Sequence, residues 1–215
     1  FYEPSSRTFG SFIAAMQRLG GGIIPLHGVV YSSVTKGENL PDTVRTFASF
    51  SDIIVLRHPT VGAADTAADA TDKPVINAGD GPGEHPTQAL LDLFTIMDRF
   101  GKMDGLTITL VGDLKNGRTV RSLVTLLSLY KPKAVNLVSP SVLTLPAERL
   151  QKAKQAGLQI VEMDILDDVL SSTDVLYVTR VQKERFTDLD VYERVKHAYV
   201  ITPETMKQLN KDAIL

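Results

Sequence analysis

Short apolar runs alternate with stretches of helical periodicity along almost the whole chain. After Thr8, the apolar positions Phe12, Ile13, Met16 and Leu19 recur at helical spacing, and Gly20-Gly21-Gly22 ends the pattern. Residues 23–26 follow as a strand. Asp42 is placed to cap a helix running to about Phe50, and Ile53-Ile54-Val55-Leu56 reads as a buried strand. Small residues over 62–70 predict a short helix, and 74–77 predict the next strand. A glycine-rich loop, Gly79-Asp80-Gly81-Pro82-Gly83, then leads into a helix over 86–100. The polar, glycine-bounded stretch Gly101-Lys102-Met103-Asp104-Gly105 marks a seam between domains. Beyond it, strands are expected over 106–111, 134–138, 158–163, 174–178 and 198–201. Helices are expected over 118–130, 147–156, 165–171 and 204–209. Repeated strand–helix–strand units demand parallel sheets covered by helices on both faces. The expectation is therefore an α/β protein of two doubly wound parallel-sheet domains, 1–100 and 101–215. Phe1-Tyr2-Glu3 resembles the tail of a strand, and Asp212-Ala213-Ile214-Leu215 the start of one, so the chain is expected to be a segment cut at both ends.

Composition narrows the chemistry. The 215 residues suit one large domain or two small ones. Lys and Arg number 23 against 25 Asp and Glu, a formal charge of −2, which lacks the basic excess that binding nucleic acid in bulk requires. No apolar run approaches the ~20 residues that span a bilayer, and no secretory signal segment opens the chain. A cytoplasmic, membrane-free protein is expected. There is no Cys, which excludes disulfides, thiolate zinc sites and a catalytic thiol.

In open parallel sheets, ligands bind beyond the carboxyl ends of the strands. The polar segments expected there are Ser5-Ser6-Arg7-Thr8, Arg57-His58, the 77–88 loop, Asp113 to Arg118, and Thr179-Arg180-Val181-Gln182. Arg7, Arg57, Arg118 and Arg180 all fall at such ends in an acidic chain, and arginine forks are the preferred partners of phosphates and carboxylates. Ser5-Ser6-Arg7-Thr8 opens a helix, so backbone N–H groups, hydroxyls and a guanidinium converge at a positive helix end, as a phosphate site requires.

Gly112-Asp113-Leu114-Lys115-Asn116-Gly117-Arg118-Thr119 comes near the nucleotide-binding loop G-x-x-x-x-G-K-[ST], but Arg118 replaces its Lys and Asp113 would repel phosphate. The glycines at 79, 81 and 83 miss the dinucleotide spacing. His85 stands between the glycine loop and a helix start, where an imidazole tends to stay neutral and can donate an N–H to a carbonyl oxygen. His27, His58 and His197 lack such a setting. No His/Asp/Glu trio has metal-ligand spacing, so neither a metal nor a cofactor is expected.

Six segments in order carry a family resemblance: Ser5-Ser6-Arg7-Thr8, Lys36-Gly37-Glu38, Arg57-His58-Pro59, His85-Pro86-Thr87-Gln88, the run from Gly112 to Thr119, and Arg180-Val181-Gln182-Lys183-Glu184-Arg185. Together they resemble the catalytic chain of the aspartate carbamoyltransferases. That family usually has S-T-R-T where Ser6 stands here. The related ornithine carbamoyltransferases typically have H-P-C-Q in place of His85-Pro86-Thr87-Gln88 and lack the K-G-E loop. The family's H-P-L-P loop would follow Leu215.

The resemblance implies transfer of the carbamoyl group of carbamoyl phosphate to L-aspartate, in pyrimidine biosynthesis. It implies that Ser5, Ser6, Arg7 and Thr8 hold the phosphate and that Arg57 contacts phosphate and carbonyl. Thr8 and His85 would polarise the carbonyl oxygen, and Gln88 would hold the carbamoyl amino group. Arg118, Arg180 and Gln182 would hold the aspartate carboxylates. Ser32 and Lys36 would reach into a neighbouring subunit's site in a homotrimer. Regulatory subunits or fused pathway domains are further partners the resemblance admits. An amine acceptor other than aspartate, or a non-catalytic domain of a larger pathway polypeptide, are the competing readings.

Overall fold

The computed structural model describes residues 2–26 and 33–215. It is α/β, and its contacts divide it into two compact units, Phe1–Gln88 and Ala89–Leu215.

In the first unit, α1 (Ser6–Arg18) and α2 (Leu40–Ala48) precede β1 (Ile54–His58), α3 (Ala63–Ala68) and β2 (Val75–Asp80). β1 and β2 pair in parallel, with a register irregularity between Leu56 and His58. Their core is small: Val44, Leu56, Ala63 and Ala67 are buried together, with Tyr2, Leu40 and Ile54 against them. α2 starts earlier than the expected Asp42 cap. Asn39 takes that role, accepting the Asp42 N–H at 2.9 Å, because Pro41 lacks an N–H and fits the first turn. The strand expected over 23–26 does not form among the described residues. Those residues are coil and Ile24 is 56% exposed, so the apolar run carried no information about a strand to pair with.

α4 (Pro86–Phe100) runs from the last residues of the first unit into the second. β3 (Thr107–Val111), α5 (Arg118–Leu127), β4 (Ala134–Val138), α6 (Ala147–Gln155), β5 (Ile160–Met163), α7 (Asp167–Leu170), β6 (Val175–Val178), α8 (Leu189–Val195) and α9 (Pro203–Gln208) follow. The sheet is parallel throughout, in the order β5-β4-β3-β6. All five residues of β3 are buried, as the centre of a sheet covered on both faces requires. Ile108 and Leu110 face one cluster with Leu93, Leu123, Leu127 and Leu137. Val111 and Leu176 face another with Val138, Leu166 and Leu170. Within the sheet, Asn136 donates to the Thr109 hydroxyl at 3.1 Å, and Thr109 and Thr173 share a 2.6 Å hydrogen bond.

The strand expected over 198–201 is also coil. Tyr199 and Ile201 pack inward while Val200 is 59% exposed, so alternation is satisfied without a ladder. α8 has no counterpart among the expected elements. Asp188 caps it by accepting from Asp190 and Val191, and Leu189, Val191, Tyr192 and Val195 carry the helical spacing that could have revealed it. The expected strand start at 212–215 appears as a single parallel bridge between Val175 and Ile214.

Candidate active site

The first unit gathers three of its predicted residues, Ser5, Thr8 and His85, around one buried guanidinium. Arg57 lies in β1 and is 5% exposed. Its Nη1 donates to the Thr8 hydroxyl at 3.3 Å and to the Ala78 carbonyl at 3.2 Å, and lies 3.3 Å from His85 Nε2. A guanidinium only donates, so Nε2 accepts and the proton of the neutral imidazole sits on Nδ1, 3.5 Å from the Thr87 hydroxyl. The Ser5 hydroxyl donates to that of Thr8 at 2.9 Å, linking the start of α1 to Arg57. Ser6 and Arg7 lie exposed in the first turn of α1, where N–H groups point outward without a side-chain cap. Gln88 is half-buried in the first turn of α4.

Two carboxylates outside the sequence expectations complete this arrangement. Glu3 Oε2 lies 3.1 Å from Arg57 Nε, an ion pair rather than an aligned hydrogen bond. Its position two residues before Ser5 is the signal the sequence offers. Asp80 is 6% exposed and accepts from the backbone N–H groups of Gly62 at 3.0 Å and Glu84 at 2.6 Å, clamping the loop that carries His85. Gly79 and Asp80 belong to β2 rather than to the loop expected there. Gly81, at φ +56°, passes so close to the Pro59 carbonyl that a Cβ would sit 1.9 Å from its oxygen.

Lys36, itself exposed, ends a 3-10 turn, Ser33–Lys36. Ser32 and His27 lie outside the described residues.

In the second unit, strand order reverses at β3, flanked by β4 and β6. Such a switch point is where parallel sheets bind ligands, beyond the carboxyl ends. Gly112 follows β3 and Thr179 follows β6, so close that a Cβ on Gly112 would lie 2.2 Å from the Thr179 carbonyl oxygen. Arg118 opens α5 half-buried, and Arg180 is exposed after β6. Gln182 donates to the Asn116 carbonyl at 3.4 Å. Asp113 is fully buried and accepts from the Asn116 backbone N–H at 2.9 Å, closing the loop from within. Its carboxylate is thus a loop clip, a role distinct from the phosphate repulsion read from sequence.

No group of three metal-ligating side chains occurs among the described residues, and no helix there is long and apolar enough to cross a membrane.

Comparison with known proteins agrees along the whole chain. Residues 1–98 match the profile of the aspartate/ornithine carbamoyltransferase carbamoyl-P binding domain, and residues 104–215 that of the Asp/Orn binding domain. The aspartate carbamoyltransferase catalytic subunit of Thermoplasma acidophilum is 52% identical over the full chain, which covers 70% of it. The multifunctional protein pyr1-3 of Dictyostelium discoideum is also 52% identical, but the chain spans only 10% of its length. Among solved structures, aspartate transcarbamoylase of Trypanosoma cruzi bound to carbamoyl phosphate and aspartate superposes with TM-score 0.91 at 45% identity. The match covers all of this chain and 70% of that one. The chain belongs to the aspartate carbamoyltransferase family.

Proposed function

We propose that the protein carrying this chain transfers the carbamoyl group of carbamoyl phosphate to the amine of L-aspartate, giving N-carbamoyl-L-aspartate and phosphate for pyrimidine biosynthesis. The observation that carries this reading is the convergence of Thr8 and His85 on the buried Arg57.

The amine's lone pair forms the new C–N bond at the carbamoyl carbon while negative charge builds on the carbonyl oxygen. Thr8 and Arg57 are donors held in place before the reaction, the arrangement that lowers such a barrier most, and His85 joins them in its other tautomer. For His85 to donate from Nε2, its proton must move from Nδ1, a change of tautomer and not of charge. The C–O bond to phosphate then breaks, and phosphate leaves with the electron pair and accepts the amine's proton. No side-chain nucleophile, metal or cofactor is required. Ser5, Ser6 and Arg7 at the start of α1, with Thr8, hold the phosphate. Gln88 holds the carbamoyl amino group. Arg118, Arg180 and Gln182 hold the aspartate carboxylates. Two arginines suit a dicarboxylate, whereas the cationic side chain of ornithine would call for acids. Residues 1–100 and 101–215 serve as the carbamoyl phosphate and aspartate domains.

Ser32 and Lys36 complete the site of a neighbouring subunit in a cytoplasmic homotrimer. The likeness to the multifunctional proteins pyr1-3 and CAD supports fused pathway domains as one setting for this chain, and a regulatory subunit is the other partner we propose. The reaction is tested by supplying carbamoyl phosphate with either aspartate or ornithine. Formation of citrulline without carbamoyl-aspartate would overturn the reading. Site sharing is tested by mixing Lys36→Ala and Arg57→Ala proteins. Recovered activity in verified hybrid trimers is expected, and none means that each site is built from one chain.

A further inference from the structure

His85 is presented from neither a strand nor a helix. It stands between β2 and the first residue of α4, at the end of the turn that carries Gly81, Pro82 and Gly83. A ring displayed from a glycine-rich turn is aimed only as well as that turn is closed.

Asp80 closes the turn in two layers. Its backbone N–H donates to the Glu84 carbonyl at 3.2 Å, and its own carbonyl accepts from the Gly83 N–H at 2.9 Å. The carboxylate adds the second layer. Oδ1 accepts from the Glu84 N–H at 2.6 Å and Oδ2 from the Gly62 N–H at 3.0 Å. Oδ1 thereby holds the residue directly before His85, while Oδ2 fixes the carboxyl plane from the start of α3. An amide could not replace it, because only one of its two polar atoms accepts.

The glycines on either side are fitted to this role. A Cβ on Gly83 would sit 2.7 Å from Oδ1, so only a residue without one leaves the carboxylate in place. A Cβ on Gly79 would lie 3.1 Å from Arg57 Nη1 and 3.6 Å from His85 Cδ2. The end of β2 is therefore the floor under the Arg57–His85 pair, and the next residue along it clamps the turn that delivers the ring.

We propose that Asp80 is a positioning residue for carbamoyl transfer: by holding the Glu84 N–H it aims the His85 ring at Arg57, and so at the carbonyl oxygen on which negative charge builds. This rests on the assignment of His85 to that oxygen.

The test uses Asp80→Asn and Gly83→Ala in the full-length protein. The first sets an amide N–H against a backbone N–H, and the second keeps the carboxylate but displaces it from Glu84. Each should lower kcat about ten- to a hundredfold, the scale of a misplaced reacting group, while KM for aspartate stays within about twofold. Combined with His85→Ala, each should be no slower than His85→Ala alone, because both act through the same ring. A merely structural role would lower the rate by the same factor in either background. The ring 15N resonances of His85, read without substrate, give a second measure. In wild type the protonated Nδ1 and the bare Nε2 should be well separated, and in both variants they should converge as the tautomers exchange. Shifts as in wild type, or rate losses that multiply with that of His85→Ala, would each overturn the role of Asp80. Gly83→Ala decides it even where Asp80→Asn fails to fold. Shifts that converge while kcat is unmoved would instead overturn the role given to His85.

Discussion

The two units solve opposite problems. In the first, the polar site is buried almost as deeply as the core: Arg57 and His85 are 5% and 8% exposed, and the apolar core beside them is only a small cluster around Val44 and Leu56. The same unit carries an open, mostly apolar cavity of about 520 Å³, lined by Phe9, Phe12, Ile13, Phe47 and Ile54 among others. In the second unit the core is extensive and fills both faces of the sheet, while Arg180 stands exposed at its rim. Where hydrogen bonds hold a site inside a thin core, site and fold fail together. Where the site is displayed on a thick core, binding can be lost while the fold survives.

The largest expected effect tests the first half of that contrast. Arg57→Ala removes a donor to Thr8 and His85 and leaves the half-buried Glu3 carboxylate facing a void. Turnover should fall about 10²- to 10³-fold or more, the cost of one fixed oxyanion donor, and the thermal midpoint should fall with it. Steady-state rates and calorimetry on the same preparation check both. Full stability alongside lost turnover would separate site from fold and break the comparison.

Gly81→Ala sharpens it without touching a substrate group. The residue is held in the left-handed region, and a Cβ would strike the Pro59 carbonyl at 1.9 Å. A left-handed non-glycine residue alone costs about 1–2 kcal/mol, and the clash adds to it by forcing β1 and β2 apart. Gly105→Ala, also at positive φ but with nothing within 4 Å, should cost only the conformational part. Equal losses by chemical denaturation would mean that the strand ends of the first unit yield more easily than their packing suggests.

The same difference explains what could be read from the sequence. Elements with one strong period were legible: the helix at 86–100 and the strand at 134–138 match α4 and β4 end to end. Both failed strands, 23–26 and 198–201, are short apolar runs whose periodicity says nothing about a partner for their backbone. The arginines stood out as candidates because guanidinium groups repeated near strand ends in an acidic chain call for anionic partners. Glu3, Asp80 and Asp113 were not, because a carboxylate that holds a loop or a guanidinium looks like any surface acid until the fold turns it inward.

Arg180→Ala tests the second half of the contrast. The side chain is exposed, so its loss opens no cavity in the core. Losing a charged hydrogen-bond partner costs about 1.5–3 kcal/mol, or roughly tenfold to a few hundredfold in binding. KM for aspartate should rise on that scale, with some loss of turnover because misplaced aspartate reaches the carbamoyl carbon less often. Carbamoyl phosphate titrated calorimetrically into the variant should bind as in wild type, and the thermal midpoint should barely move. Weakened carbamoyl phosphate binding in a folded variant would overturn the division of labour between the units.

The smallest effect concerns protons in the first unit. His58 ends β1 with its ring 4.8 Å from that of Tyr2, and its Nδ1 accepts the Thr60 N–H at 3.0 Å. Burial, partly opposed by Glu3, holds its pKa below the ordinary imidazole value. A lowered folded-state pKa means that the unfolded chain takes up the proton first as pH falls. The stability His58 contributes is therefore complete above the ordinary histidine pKa of ~6.5 and is lost on acidification below it. Protonation also removes the lone pair that accepts from Thr60. The ring is substantially solvated, so screening keeps the effect small, about a degree or two in thermal midpoint. His58→Asn retains an acceptor near Nδ1 but cannot titrate. Between about pH 7.5 and 5.5, on either side of the ordinary histidine pKa, wild type should lose slightly more thermal stability than His58→Asn. A wild type that gains stability relative to the variant on acidification would show that Glu3, not burial, governs the ring.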